Sequence, residues 1–291
     1  MLINLSEITT VQRQQYLQHA IAPRPIAFAS TIDADGNVNL SPFSFFNLFS
    51  SDPAIVIFSP SRRVRDNTVK HSLLNVQEVP EVVINIVDED MVQQTSLASC
   101  EYEKGVNEFL KAGFTQEPAT LVKPPMVKES KIKLECKVIE VKPLGTNGGA
   151  GNLVICEVLC MHIDETILDG KGMIDQRKIH HVARLGSNWY ARITPDNLFE
   201  VEKPNTKLGI GVDKLPTFIK EHKTLTGNHL GQLANVDSLP AAEASCNDEK
   251  LAKLLQSNGE EKTKQIAQHA AQLLNEGKVS EAWQALLRLA Q

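Results

Sequence analysis

Ser41-Pro42-Phe43-Ser44-Phe45-Phe46-Asn47 sets three phenylalanines, two serines, one proline and one asparagine between two strand-like runs. Proline and small polar residues break the strand pattern here, so the stretch is expected to be a loop at the end of a hairpin. Phenylalanine rings on irregular backbone offer flat apolar surface, and the Ser and Asn side chains offer hydrogen bonds. About twenty residues on comes Arg62-Arg63-Val64-Arg65-Asp66-Asn67-Thr68-Val69-Lys70, four cations among hydroxyl and amide groups. The pair suits a planar apolar group with an anionic tail, a description that FMN meets. An ordinary hairpin loop followed by a solvated basic helix start fits the same residues equally well.

The strands on either side follow from period and punctuation. Residues 26–31 form a small apolar strand, and Asp33-Ala34-Asp35-Gly36-Asn37 signals a tight turn before a second strand at 38–40. Asp52-Pro53 precedes the β-branched run 54–58, and Pro80 precedes the run 81–87, both with the look of buried strands. Between them, residues 66–77 are expected to be helical, capped by Asp66 or Asn67. Residues 6–20 are expected to form a polar helix and 88–111 another with an acidic face. Residues 132–141 alternate apolar and charged side chains, as a half-exposed strand does, and 152–163 is its expected antiparallel partner. The intervening Gly145-Thr146-Asn147-Gly148-Gly149-Ala150-Gly151 lacks the Lys-Ser/Thr of a phosphate loop and is expected to be a hairpin turn. Many short strands joined mostly by hairpins, with few helices, give an α+β chain dominated by β structure: a small antiparallel barrel with helices outside.

The 291 residues are 42% hydrophobic and 22% charged, enough for one large domain or a domain with an appendage. The net charge of −5 argues against bulk nucleic-acid binding. No apolar run approaches the ~20 residues of a membrane span, and the first residues lack the basic-then-apolar pattern of a signal peptide. Of the five cysteines, none form a C-x-x-C pair, and Cys156 and Cys160, four apart on a strand, are expected to share a face and serve packing. A cytoplasmic protein with reduced thiols and no metal site is the expectation. Residues 195–247 show no sustained period and are expected to be an extended arm packing on the barrel. Residues 248–291 carry an amphipathic stripe, including Leu251, Leu254, Ile266, Leu273 and Trp283, expected to be core or a partner-docking face.

Five stretches occur in a telling order: Arg24 to Thr31, Leu40 to Asn47, Asp52-Pro53, Arg65 to Thr68 and Val83 to Val87. Together with Arg184-Leu185-Gly186-Ser187-Asn188-Trp189-Tyr190, they resemble the flavin reductase-like family of FMN-binding split β-barrels, which includes flavoredoxin and NAD(P)H:flavin oxidoreductases. The resemblance covers roughly residues 10–200. With the texture of the remaining residues, the expected division is a split-barrel domain over 1–200, the arm over 201–247 and a helical tail over 248–291, the last ninety or so residues lying outside the resemblance.

The resemblance implies a homodimer with FMN near the subunit interface. Carried over, Arg24 and Pro25 would border the flavin ring, and Ser30 and Thr31 would approach the ring or the phosphate. Ser44, Phe45, Phe46 and Asn47 would line the ring, and Ser59, Arg62, Arg63, Asn67, Thr68 and Lys70 would hold the phosphate. His180 and His181 are candidates for proton donation or nicotinamide contact, or an ordinary surface pair; His162 is expected to be a satisfied barrel histidine. No G-x-G-x-x-G fingerprint is present, so NAD(P)H would stack directly on the flavin or electrons would come from a redox protein partner. The implied activity is an FMN-dependent oxidoreductase, most simply an NAD(P)H-dependent reductase of flavin or a small substrate. An FMN-containing electron carrier and a non-enzymatic binding protein with a helical docking tail stand as alternatives.

Overall fold

The computed structural model describes residues 1–203, 208–243, 248–256 and 260–290, in two compact units, Met1–Phe199 and Glu200–Gln291. The first unit is built on the strands β1 (Ala27–Ile32), β2 (Val38–Phe43), β3 (Phe46–Ser51), β4 (Ala54–Phe58), β5 (Glu81–Ile86), β6 (Gln116–Glu117), β7 (Met126–Val127), β8 (Ile132–Pro143), β9 (Asn152–Ile163), β10 (Val182–Arg184) and β11 (Tyr190–Arg192). Its helices are α1 (Thr10–Ala20), α2 (His71–Glu78), α3 (Val92–Leu97), α4 (Glu108–Ala112) and α5 (Gln176–Ile179).

Seven strands form one antiparallel sheet in the order β2-β1-β5-β8-β9-β4-β3. Its two edge strands, β2 and β3, are consecutive in the chain and joined only by Ser44-Phe45. A link that short cannot cross an open seven-strand sheet, whose strands lie about 4.8 Å apart, so the sheet must roll until its edges meet. The ring centroids of Phe43, ending β2, and Phe58, ending β4, stand 5.2 Å apart across the join. No ladder pairs β2 with β3, so the barrel is closed by side chains and left split.

Alternation decides what faces inward. Ala27 and Ala29 of β1, Val82 and Ile84 of β5, and Val154 and Cys156 of β9 fill the barrel with Phe43, Phe58 and the α2 residues Leu73 and Val76. Phe28 points the other way and packs with Met91, Phe109 and Phe114 beneath α3 and α4. Asn85, fully buried on the outer face of β5, donates to Phe28 O at 2.9 Å and accepts from Val127 N at 2.8 Å, which anchors β7.

Several expectations shift. The stretch 41–47 is mostly strand, with only Ser44 and Phe45 in the turn. α1 starts later than expected because Thr9 and Gln12 form a capping box, their mutual bonds measuring 3.0 and 3.2 Å. α2 starts at His71: Asn67 adopts a left-handed φ of 59° and the preceding residues coil into a turn instead of a helix. The helix expected over 88–111 is two short pieces, α3 and α4, the second stopped by Gly113 at a φ of 73°.

The unit Glu200–Gln291 is helical: α6 (Thr217–Lys220), α7 (Gly227–Ala234), α8 (Glu249–Leu254), α9 (Glu260–Asn275) and α10 (Val279–Leu287). The arm expected over 201–247 is here part of this unit, because Leu215, Ile219, Leu225 and Leu233 bury themselves with Leu251, Ile266, Leu274 and Trp283 in one apolar cluster. Polar sequence hid it: α6 and α7 are only four and eight residues long, too short to show a period. Residues 204–207 and 244–247 of that stretch, Cys246 among them, lie outside the described residues. No helix of the described residues is long and apolar enough to cross a membrane.

Candidate functional site

The basic segment folds into a tight turn held from within. Arg63 N donates to Thr68 O at 2.8 Å and Asn67 N to Arg63 O at 2.9 Å. Arg62 donates through Nε to Asn67 Oδ1 at 2.6 Å and through Nη2 to Asn67 O at 2.8 Å. Arg63 donates through Nε to Glu101 at 2.8 Å, and its Nη1 reaches Thr68 Oγ1 and Val69 O at 2.8 and 2.9 Å. The Gly turn between β8 and β9 lies against this backbone: Arg62 N donates to Ala150 O, and Gly149 N to Arg62 O. A Cβ on Gly148 would stand 2.9 Å from Arg63 O, so only glycine permits that approach.

The charges in this turn are unequal in freedom. Arg65 is exposed and bonded to Asp66 and Glu101, and Arg65, then Arg63, hold the Glu101 carboxyl below its usual range. Arg62 Nη1 and Arg63 Nη2 have no protein acceptor among the described residues. Lys70 sits mostly buried at the start of α2, where its ammonium makes neither hydrogen bond nor ion pair among the described residues. Burial, and after it the charge of Arg63, pulls its pKa below the ordinary lysine value. His71 beside it is lowered for the same two reasons, in that order. Unpartnered cations at a helix N-terminus make a site for an anion.

A cleft of about 670 Å³ opens between the start of β1, the end of β2, α3 and the β10–β11 hairpin. Ile26, Pro42, Val92 and Val182 give it apolar wall, and Ser44, Thr95, Ser96 and Asn188 give it hydrogen-bonding groups. Arg184 lies over the Tyr190 ring, 4.6 Å from its centroid, and Arg192 pairs with Glu89 at 2.8 Å. Thr95 is 2% exposed and its hydroxyl has no partner among the described residues. Ser44-Phe45 connects the two regions: Ser44 lines the cleft, and Phe45 O accepts from Ser59 N at 2.8 Å just before the basic turn.

The expected residues therefore divide. Ser44 is at the cleft, Phe45 beside it is 41% exposed, Phe46 packs partly on the core, and exposed Asn47 accepts from Leu48 N. Arg62, Arg63 and Lys70 belong to the basic turn, with Arg63 near enough for its charge to act on Lys70. Asn67 and Thr68 build that turn, Asn67 also donating to Thr146 O at 3.0 Å and Thr68 to Asp66 at 2.6 Å. Ser59 Oγ lies 2.7 Å from where a Cβ on Gly151 would stand, so it closes on the Gly turn. Arg24 is a clamp: its guanidinium donates to the carbonyls of Gln18, Ile21 and Leu185, tying the end of α1 to the loop after β10, and reaches Ser44 Oγ only at 3.5 Å. Pro25 is exposed. Ser30 and Thr31 are fully buried within β1 and do not line the cleft, Thr31 accepting from Asn75 at 3.1 Å.

His180 and His181 also stand apart from the cleft lining. His180 ends α5 in a left-handed conformation with φ 57°, and His181 forms a β-bridge with Asp88. Burial lowers the His181 pKa, against an opposing pull from Asp88. Thr95 and Ser96 carry no signal in the sequence, since hydroxyls in a helix as short as α3 have no spacing to show. Arg184, Asn188 and Tyr190 lay within the stretch 184–190 that drew attention for its resemblance alone.

Comparison with known proteins bears on this geometry. The family described as "Flavin reductase like domain" matches residues 19–183. An uncharacterized protein of Aquifex aeolicus is 36% identical over 172 residues, covering 59% of this chain and 85% of the relative. The crystal structure of nitrilotriacetate monooxygenase component B from Bacillus cereus superposes with a TM-score of 0.65 at 28% identity, covering 69% of this chain and 98% of that one. A Shewanella frigidimarina protein assigned as a flavin reductase with a split barrel domain gives 0.58 at 25% identity, covering 70% and 99%. The matched segment holds the rolled sheet, the basic turn and most of the cleft wall, and by it the chain belongs to the flavin reductase-like family.

Proposed function

We propose that this protein binds FMN and uses NAD(P)H to reduce a flavin or a small acceptor. The observation that carries the reading is Lys70: a cation mostly withdrawn from water beside Arg63, without a carboxylate on its ammonium, is stable in company with an anion. The residues fit a flavin mononucleotide. Lys70 Nζ, Arg62 Nη1 and Arg63 Nη2 supply donors for a phosphate, and the first N–H groups of α2 add to the same field. Ser44, Phe45 and Asn47 supply a hydroxyl, a ring and an amide where a flavin ring would lie, and the unpartnered Thr95 hydroxyl adds a donor from α3. FMN, when bound, supplies electron transfer between a nicotinamide and the acceptor. Around it the chain binds, orients and excludes water: Arg24 fixes the loop after β10, and the stacked Arg184 and Tyr190 hold one cleft wall.

A second copy of the chain is part of the reading. α1 carries no buried residue and exposes Val11, Tyr16 and Leu17, with exposed Ile21 at its C-cap, while β3 exposes Leu48 and Phe49. Apolar surface exposed on a helix and on a strand is what a homodimer contact covers. A redox protein that takes the electrons on is the other partner we infer, in keeping with the Bacillus cereus neighbour being one component of a monooxygenase. The test is an anaerobic visible spectrum of the purified protein with FMN, before and after NADH or NADPH, with mass measured by light scattering. Flavin bound to a dimer and bleached by one nicotinamide is expected. Protein that takes up no FMN refutes the reading, and bound flavin that bleaches only with dithionite makes the chain a carrier.

A further inference from the structure

On the outer face of the barrel, away from the residues of the cleft and the basic turn, three side chains of different donor type meet. Glu135 Oε1 lies 2.6 Å from His162 Nε2, Cys160 Sγ lies 3.9 Å from the same nitrogen, and the three donor atoms fall within 4.8 Å of one another. A β-bulge makes the meeting. The ladder pairs Glu135 with Cys160 but Cys136 with Val158, so Leu159 is left over and the side-chain alternation of β9 reverses there. Cys156 stays in the barrel core, while Cys160 and His162 turn out beside Glu135.

The carboxylate is fixed before any ion arrives. Glu135 is fully buried, its Oε1 accepts from Thr120 N at 2.8 Å, and its Oε2 accepts from Leu121 N and from Val122 N at 3.0 Å. Cys160 and His162 are partly exposed, which leaves an entry from solvent. Lys133, two residues along the same face, is tied at 2.9 Å to Glu117.

We propose that Glu135, Cys160 and His162 form a three-ligand Zn²⁺ site whose fourth position is open to water. A thiolate, an imidazole and a carboxylate together favour a borderline-soft ion, whereas Mg²⁺ and Ca²⁺ take oxygen sets. Ordinary zinc bond lengths in a tetrahedron set nitrogen and oxygen donors about 3.4 Å apart and sulfur and nitrogen about 3.6 Å apart. To reach that arrangement His162 Nε2 would draw back from Glu135 Oε1 and Cys160 Sγ would close on the other two donors, while the carboxylate keeps its backbone bonds. On binding, the Cys160 thiol proton leaves to solvent. The proton on His162 Nε2 is displaced to Nδ1 or, from an imidazolium, to solvent. The ion would staple β9, through Glu135, to the loop at residues 120–122.

The test uses the full-length protein, reduced, chelator-stripped and freed of flavin, titrated with Co²⁺ and then Zn²⁺. One equivalent of Co²⁺ with visible d–d bands and a thiolate charge-transfer band, displaced by Zn²⁺, is expected. Cys160→Ser should abolish the charge-transfer band, and Cys160→Ser and His162→Ala should each weaken Zn²⁺ binding on the order of 100-fold. In the unmodified protein, Zn²⁺ should slow alkylation of Cys160 by about tenfold or more and leave exposed Cys100 unaffected. No charge-transfer band, or binding that survives both substitutions, overturns the site. Should a variant not fold, the alkylation rates decide: equal rates at Cys160 with and without Zn²⁺ overturn it.

Discussion

Lys70→Met separates the ligand role of the basic turn from its structural role. The lysine stem is retained in length and the ammonium, which bonds nothing within the protein among the described residues, is removed. Burial first and Arg63 second lower its pKa from the ordinary 10.5, with Glu101 and Glu108 opposing. Between its lowered folded value and 10.5 the unfolded chain binds more protons than the folded one, so stability rises with pH across that window. Below it the charged ammonium opposes folding, so Lys70→Met should stabilise the flavin-free protein at pH 7. FMN affinity should move the other way. A charge-assisted bond to phosphate contributes about 1.5–3 kcal/mol, which is about 10- to 150-fold in Kd. Flavin fluorescence quenching gives the affinity, and urea unfolding of the flavin-free protein gives the stability. The loss of affinity should shrink at high salt, since part of the site is exposed. An unchanged Kd would move the phosphate elsewhere, and a less stable apoprotein would mean that Lys70 supports the fold.

Three further outcomes follow from the packing. Gly148→Ala forces a methyl to within 2.9 Å of Arg63 O and 3.1 Å of Val64 Cα, backbone that cannot rotate away, and should cost about 1–3 kcal/mol in urea unfolding while weakening FMN. Glu108, buried and accepting from Asn39 and Leu40 N, is raised above its ordinary 4.5 chiefly by burial. In the window above 4.5 the folded chain binds more protons than the unfolded one, so its contribution makes stability fall as pH rises, and the wild-type minus Glu108→Gln difference between about pH 4 and 7 should show that slope. Trp283→Ala removes a side chain 1% exposed and its Nε1 bond to Leu233 O at 3.1 Å. It should cost the helical unit about 3–5 kcal/mol, seen as loss of far-ultraviolet helix signal at lower temperature, with flavin binding unchanged.

The local rules of the chain were legible in its sequence. Period-two alternation marked β8, β9 followed as its partner across the glycine run, and that Gly145–Gly151 run lacks the Lys-Ser/Thr of a P-loop and reads as a turn. The cations of the basic turn were visible as cations. What each cation does was not, because freedom depends on partners brought from afar. Glu101 takes up Arg65, carbonyls on three separate residues take up Arg24, and among the described residues no hydrogen bond or ion pair takes up Lys70. The roll of the sheet was likewise out of reach, since that Ser44-Phe45 joins two edges depends on five other strands lying between them. One unpaired residue, Leu159, reversed the face of everything after it on β9, and Cys160, expected to share a face with Cys156, came instead to Glu135 and His162. Sequence fixes side-chain direction only as far as the strand stays regular; pairing with the neighbouring strand decides where it does not.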